Sequence, residues 1–151
     1  MKNILDEADR KEVLGRIGRV RPDAELRWGR MTPHGMVCHL ADSFAGVLGE
    51  RAISDRSTLF GRTGMKWIAL STPFPWPKGV PTMPEADQER RGTPPVDFDA
   101  DLARMLDLAE SFGARLDEAT MRHPIFGRMT RAEWGRWGYR HVDHHARQFG
   151  L

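Results

Sequence analysis

With one cysteine in the whole chain, Cys38, no intramolecular disulfide can form, and no basic, apolar and small-residue leader opens the sequence. Nothing directs the protein to an oxidising compartment, and a cytoplasmic location is expected. Long apolar runs are also missing. The longest, around Met65 to Pro77, is broken by Lys66, Ser71, Thr72 and prolines, far short of the ~20 residues of a spanning helix. A soluble protein without membrane partners is expected. Charge of one sign is lacking as well: 23 Lys and Arg stand against 21 Asp and Glu, and no helix carries a one-sided basic stripe, which argues against nucleic acid. Stretches that alternate apolar and polar residues are absent over any useful length, so strands have little support. There is no internal repeat and no low-complexity tract.

What is present is helical periodicity. The length of 151 residues suits one domain spanning 1–151, able to bury a core without cross-links. A weakly patterned amphipathic helix is predicted from Ile4 to Val20, ending before Pro22 and lying at the periphery. A sharper one starts at Thr32, a good N-cap followed by Pro33, carries Met36, Val37, Leu40, Phe44, Val47 and Leu48, and closes at Gly49. Residues Ser57 to Leu70 can form another, weakened by Gly61 and Gly64. Asp97 or Asp99 can cap a clear amphipathic helix through Leu102, Met105, Leu106, Ala109, Phe112, Leu116 and Ala119. Thr130 and Glu133 have capping-box spacing at the head of a last helix that runs to Gly150. Seven of the ten prolines fall between Pro73 and Pro95, which forbids regular helix there. Such a long irregular connection is usually functional or disordered, and Phe74 and Trp76 favour a packed one. Together these elements read as an all-α helical bundle of four main helices, with an extra N-terminal helix and a long proline-rich crossover.

The last helix carries the chemistry. Trp134, Trp137, Gly138, His141, His145 and Gln148 step by three, four or seven and share one face, while His144 falls toward the flank. Two imidazoles at i and i+4 lie ~5–6 Å apart at Cβ, close enough to share an ion. A lone pair of this kind is also met as buried, hydrogen-bonded histidine. His39, at the edge of the apolar face of the Thr32 helix with Gly35, Ser43 and Gly46 as small neighbours, supplies a third candidate. Three imidazoles with one position open for water or substrate form the ligand set of a catalytic ion, whereas a fourth protein ligand, such as His123 or Glu50, would mark a structural one. Cys38 reads as a buried structural thiol, His34 and His123 as surface or loop-packing residues, and Trp134 and Trp137 as core. Asp42, Asp143 and Arg147 are candidates for orienting ligands or substrate, although charged helix flanks usually face water.

The segments WGRMTPHGMVCHLAD from Trp28 to Asp42 and TRAEWGRWGYRHVDHHARQF from Thr130 to Phe149 resemble the two ends of the DinB/YfiT-like superfamily. PFPWPKG from Pro73 and HPIFG from His123 are similar to an uncharacterised branch of it, so the resemblance covers nearly the whole chain. It implies a four-helix bundle of up-down-down-up connectivity holding a nickel- or zinc-like divalent metal. By the motif, His39 matches the ligand of the first bundle helix, and His141 and His145 match the H-x-x-x-H pair of the last. Relatives include thiol-dependent isomerases and S-transferases that use a low-molecular-weight thiol, for which Arg140 or Arg147 can meet carboxylates. The expected function is a metal-dependent enzyme of that kind acting on a small-molecule substrate. A metal-dependent hydrolase and a non-catalytic metal-binding stress-response module are the alternatives, and a homodimer is left open.

Overall fold

A computed structural model describes all 151 residues as five α-helices without strands. α1 spans Glu7–Ile17, α2 Pro33–Val47, α3 Lys66–Ser71, α4 Phe98–Arg115 and α5 Arg131–Gln148. The start signals act where the residues place them. Thr32 Oγ1 accepts from the Gly35 N–H with Pro33 at the first turn, Asp97 accepts from Ala100, and Thr130 and Glu133 exchange both bonds of the capping box. Gly49 adopts φ +79° just beyond α2, a conformation that side chains with a Cβ rarely take.

α1 lies along α5 and α2 along α4. The aromatic centre is made by Phe44, Phe112, Trp134 and Trp137, whose rings meet edge-on or tilted at 5.3–6.2 Å. The periphery differs from expectation. The N-terminal segment is integral: Ile4, Val13 and Ile17 are buried, and Ile4 donates its N–H to the Gly135 carbonyl at 3.0 Å. A Cβ at Gly135 would collide with Asn3, and one at Gly138 with Ile4, so these two glycines admit the segment against α5. Its weak periodicity arises because Ile4 and Val20, both buried, lie outside the helical stretch. The peripheral helix is α3, preceded by a π-helical turn at Gly61–Met65, with Trp67 and Ile68 exposed. No helix is long and apolar enough to cross a membrane.

The proline-rich connection is packed and tied down from α2 and the loop after it. Asp42, fully buried on α2, accepts from the Thr93 N–H at 2.7 Å, the Thr93 hydroxyl at 2.6 Å and Gln88 at 3.2 Å. Arg51 donates to the Glu85 carbonyl and Thr93 Oγ1 and sits 3.3 Å from Asp42. Trp76 Nε1 donates to the Ala69 carbonyl, and Pro84–Ala86 form one 3₁₀ turn.

Candidate metal centre

Helical spacing places Trp137, His141 and His145 along one side of α5, and α2 brings His39 against them. The ring centroids of His39, His141 and His145 form a triangle of 4.8, 5.1 and 5.2 Å, and one ligand nitrogen from each lies within 4.8 Å of the others. The three imidazoles form a group that can hold a metal ion.

The tautomers follow from the hydrogen bonds. His39 Nδ1 is 2.8 Å from the Ala86 carbonyl, which can only accept, so the proton sits on Nδ1 and Nε2 presents a lone pair. Gln148 donates Nε2–H to the Trp28 carbonyl at 2.9 Å, which turns its Oε1 toward His145 Nδ1 at 2.8 Å and fixes the same tautomer there. His141 Nε2 lies 3.1 Å from His39 Nε2, whereas its buried Nδ1 has no protein partner. Two nitrogens on a tetrahedral ion with bonds of ~2.0–2.1 Å stand about 3.3 Å apart, so this spacing suits a shared ion. Burial pushes all three pKa values down, and His39 and His145 further lower that of His141. The rings are therefore neutral and ready to coordinate at neutral pH.

The group forms part of the wall of a pocket of about 690 Å³. Its apolar lining comes from Phe60, Met65, Ile68, Phe74 and Trp76 on one side and Ile125, Phe126 and Trp137 on the other. Phe60, Ile68 and Phe74 are exposed at its rim. The proline-rich segment thus does two things at once: it walls the pocket and orients His39 through Ala86.

Over residues 5–149 the sequence matches the DinB superfamily. The chain belongs to that family. Among curated proteins and among solved structures, the comparisons found no match. Membership in the DinB superfamily, commonly metal-binding, agrees with an all-helical bundle holding three converging histidines.

The other candidates fall elsewhere in this DinB bundle. Cys38 is buried, and burial together with the Asp101 carboxylate pushes its thiol up to about 12, which suits a structural role and not a nucleophile. His34, expected at the surface or packing a loop, is partly buried and pairs with Asp101 at 2.7 Å. His34, Cys38 and Asp101 form a second compact group, but 2.7 Å is a hydrogen-bond length, closed without an ion. His123 lines the pocket and packs its loop: Nδ1 accepts the Ile125 and Phe126 N–H groups, and the ring stacks on Phe126 at 4.5 Å. Burial pushes its pKa down to about 3. Glu50 pairs with Arg115, so neither proposed fourth ligand joins the three imidazoles. Asp143 bridges Arg16 and Arg147, and Asp42 anchors the loop rather than facing water. Of the small neighbours of His39, Gly46 makes room for Ile53, and Ser43 bonds back to the His39 carbonyl. His144, assigned to the flank, lines the pocket between Trp28 and Trp76. The Ala86 carbonyl gives no sequence signal, since any residue has one, whereas Gln148, placed on the histidine face but not among the orienting candidates, had a signal in its position three residues after His145.

Proposed function

We propose that this DinB-superfamily protein is a metal-dependent enzyme, with nickel or zinc held by Nε2 of His39, His141 and His145. The observation that carries this reading is the set of neutral imidazoles, two with protein-fixed tautomers, on the wall of an apolar pocket with no fourth protein ligand beside them. An open coordination position is the mark of a catalytic rather than a structural ion. When bound, the ion supplies a lowered pKa to a thiol or water in that position.

The pocket lining bears on the choice between those two without closing it. It contains no Asp or Glu, and His144 is the base that stands there free of the ligand group, able to take a proton from a water or from a thiol. Thiol-dependent S-transfer or isomerisation is the reading favoured, on the resemblance to relatives with that chemistry. Phe60, Met65, Ile68, Phe74 and Trp76 would give an apolar small-molecule electrophile an apolar surface to pack on beside the imidazoles.

The test begins with metal titration of chelator-treated, untagged protein. His141→Ala and His145→Ala are each expected to abolish most binding, while His144→Ala and His34→Ala leave it nearly intact. Equal losses in all four would remove the three-histidine assignment. Metal-loaded protein is then screened with thiols and apolar electrophiles. Turnover that ignores the thiol but proceeds with water would replace transfer by hydrolysis.

A further inference from the structure

A second cleft, of about 700 Å³, lies beside the metal pocket, and Trp28, Trp76 and His144 line both. Its chemistry is the opposite of its neighbour's. Lys2, Arg16, Arg27, Lys78, Arg140 and Arg147 line it, in a chain whose net charge is only +2. Three groups answer some of them: Glu12 takes Lys2 and Arg16, Asp143 takes Arg16 and Arg147, and the Leu151 main-chain oxygen accepts from Arg16 at 2.9 Å. Three cations have no carboxylate partner. Arg140 donates to the Thr72 and Phe74 carbonyls, which orient it without neutralising it. Lys78 sits 4.5 Å above the Trp28 ring, and the Arg27 guanidinium lies against Gly150 with no acceptor. The Trp28 indole N–H, in the shared wall, also lacks a partner.

Trp76 is the partition. The Arg140 guanidinium stands 6.0 Å from its ring and the His141 ring 5.8 Å from it, so the two distances together keep guanidinium and imidazole within 12 Å. An extended chain of about three residues covers that span at ~3.3–3.6 Å per residue.

We propose that this cleft binds the anionic group, carboxylate or phosphate, of a small elongated ligand whose opposite end reaches the metal position past Trp28 and Trp76. Converging donors of one sign in a walled cleft concentrate an anion and hold it in one orientation, and a guanidinium offers paired N–H groups to either oxyanion. The reaching of the metal rests on the function proposed above; the anion site does not. In that scheme the ligand is the thiol co-substrate, and its charged tail, rather than its sulfur, sets its selectivity.

The experiment has two arms. In the first, metal-free protein is titrated calorimetrically with succinate, inorganic phosphate and neutral succinamide at low ionic strength. Saturable binding of either anion, absent for succinamide and weakened at least tenfold in an Arg27→Gln, Lys78→Gln double variant, supports the site; both residues are exposed and free of ion pairs, so the fold is spared. The anion bound more tightly names the headgroup. Absence of saturable binding, or equal binding in the variant, overturns the proposal even if the protein proves to be a metalloenzyme. In the second arm, cobalt-loaded protein is titrated with 6-mercaptohexanoate and 6-mercaptohexanol, which match in length and differ in terminal charge, and the sulfur-to-cobalt absorption band is followed. The acid should give the band at a concentration at least tenfold lower, and the advantage should vanish in the double variant. Equal concentrations for both thiols would show that the cleft does not serve the metal. A missing band with both thiols, alongside anion binding in the first arm, would count against the thiol reading and against the reach to the metal, while the anion site would stand.

Discussion

His39 and His145 present their Nε2 lone pairs only because an acceptor holds each Nδ1 proton, Ala86 O for one and Gln148 Oε1 for the other. Partners of this kind are worth 10–100-fold in metal affinity. Gln148→Leu, which keeps the bulk and loses the acceptor, should therefore weaken zinc or nickel binding by roughly that factor while leaving the circular dichroism unchanged. Wild-type affinity in this variant would mean that packing alone orients His145. A second effect at this scale is acid sensitivity. Burial, reinforced by two N–H groups aimed at Nδ1, holds the His123 pKa at about 3 in the fold, below the ~6.5 of an unfolded chain. Between those values the unfolded state binds more protons, so the stabilisation is complete above pH ~6.5 and declines as pH falls through the window. At pH 5 the loss amounts to about 2 kcal/mol. His123→Asn, whose side-chain oxygen can accept the same two N–H groups, should remove this component, so urea unfolding at pH 7 and pH 5 should differ less in the variant than in the parent. An unchanged difference would place the acid sensitivity elsewhere.

Among the elements, the proline-rich connection depends on α2. Asp42 receives two bonds from Thr93 and one from Gln88, and Arg51 closes the set through Glu85 and Thr93. Asp42→Ala would leave those donors and the Arg51 charge without their buried partner, a change that typically costs ~3 kcal/mol or more. Because the same segment carries Ala86, the variant should also lose metal affinity. Trypsin should cut it faster at Arg90 and Arg91, which flank the anchor. Unaltered cleavage and affinity would show that Trp76 and the 3₁₀ turn hold the loop by themselves. α3 is the contrasting case, for its exposed Trp67 and Ile68 contribute little core, and Phe60 and Met65 serve the pocket rim instead.

For the whole molecule, the bundle core is independent of the ion. The buried cluster of 26 residues runs through α1, α2, α4 and α5, so the metal-free protein should stay folded. An ion that binds only the folded state stabilises it by ~2.7 kcal/mol at a hundredfold excess over its dissociation constant. For a domain of this length each kcal/mol moves the midpoint by roughly 2–4 °C, so chelated and loaded samples should differ by about 5–11 °C. Since burial holds the pKa values of His141 and His145 well below 6.5, protons compete with the ion only in more acid solution. The thermal difference should persist at pH 6 and fade below it. The His39→Ala, His141→Ala, His145→Ala triple variant should show no difference at any pH, and a retained shift there would place the ion at another site.

Local chemistry settled what the sequence alone determined. The caps at Thr32, Asp97 and Thr130, the stop at Gly49 and the i, i+4 spacing of His141 and His145 all act within one or two helical turns, where hydrogen bonding and side-chain direction follow from neighbours in the chain. The all-helical class and the convergence of the three histidines were legible for that reason, the second with the help of family resemblance. Tertiary structure decided the rest. Whether α1 or α3 is peripheral depends on Gly135 and Gly138 admitting the N-terminal segment, a contact across more than a hundred residues. The placement of the Ala86 carbonyl depends on Asp42 and Thr93, 51 positions apart, and no periodicity records such a bond. The basic cleft likewise joins Arg27, Lys78, and Arg140 with Arg147 from three stretches of chain, so a sequence of nearly balanced charge concealed a local excess that only folding assembles.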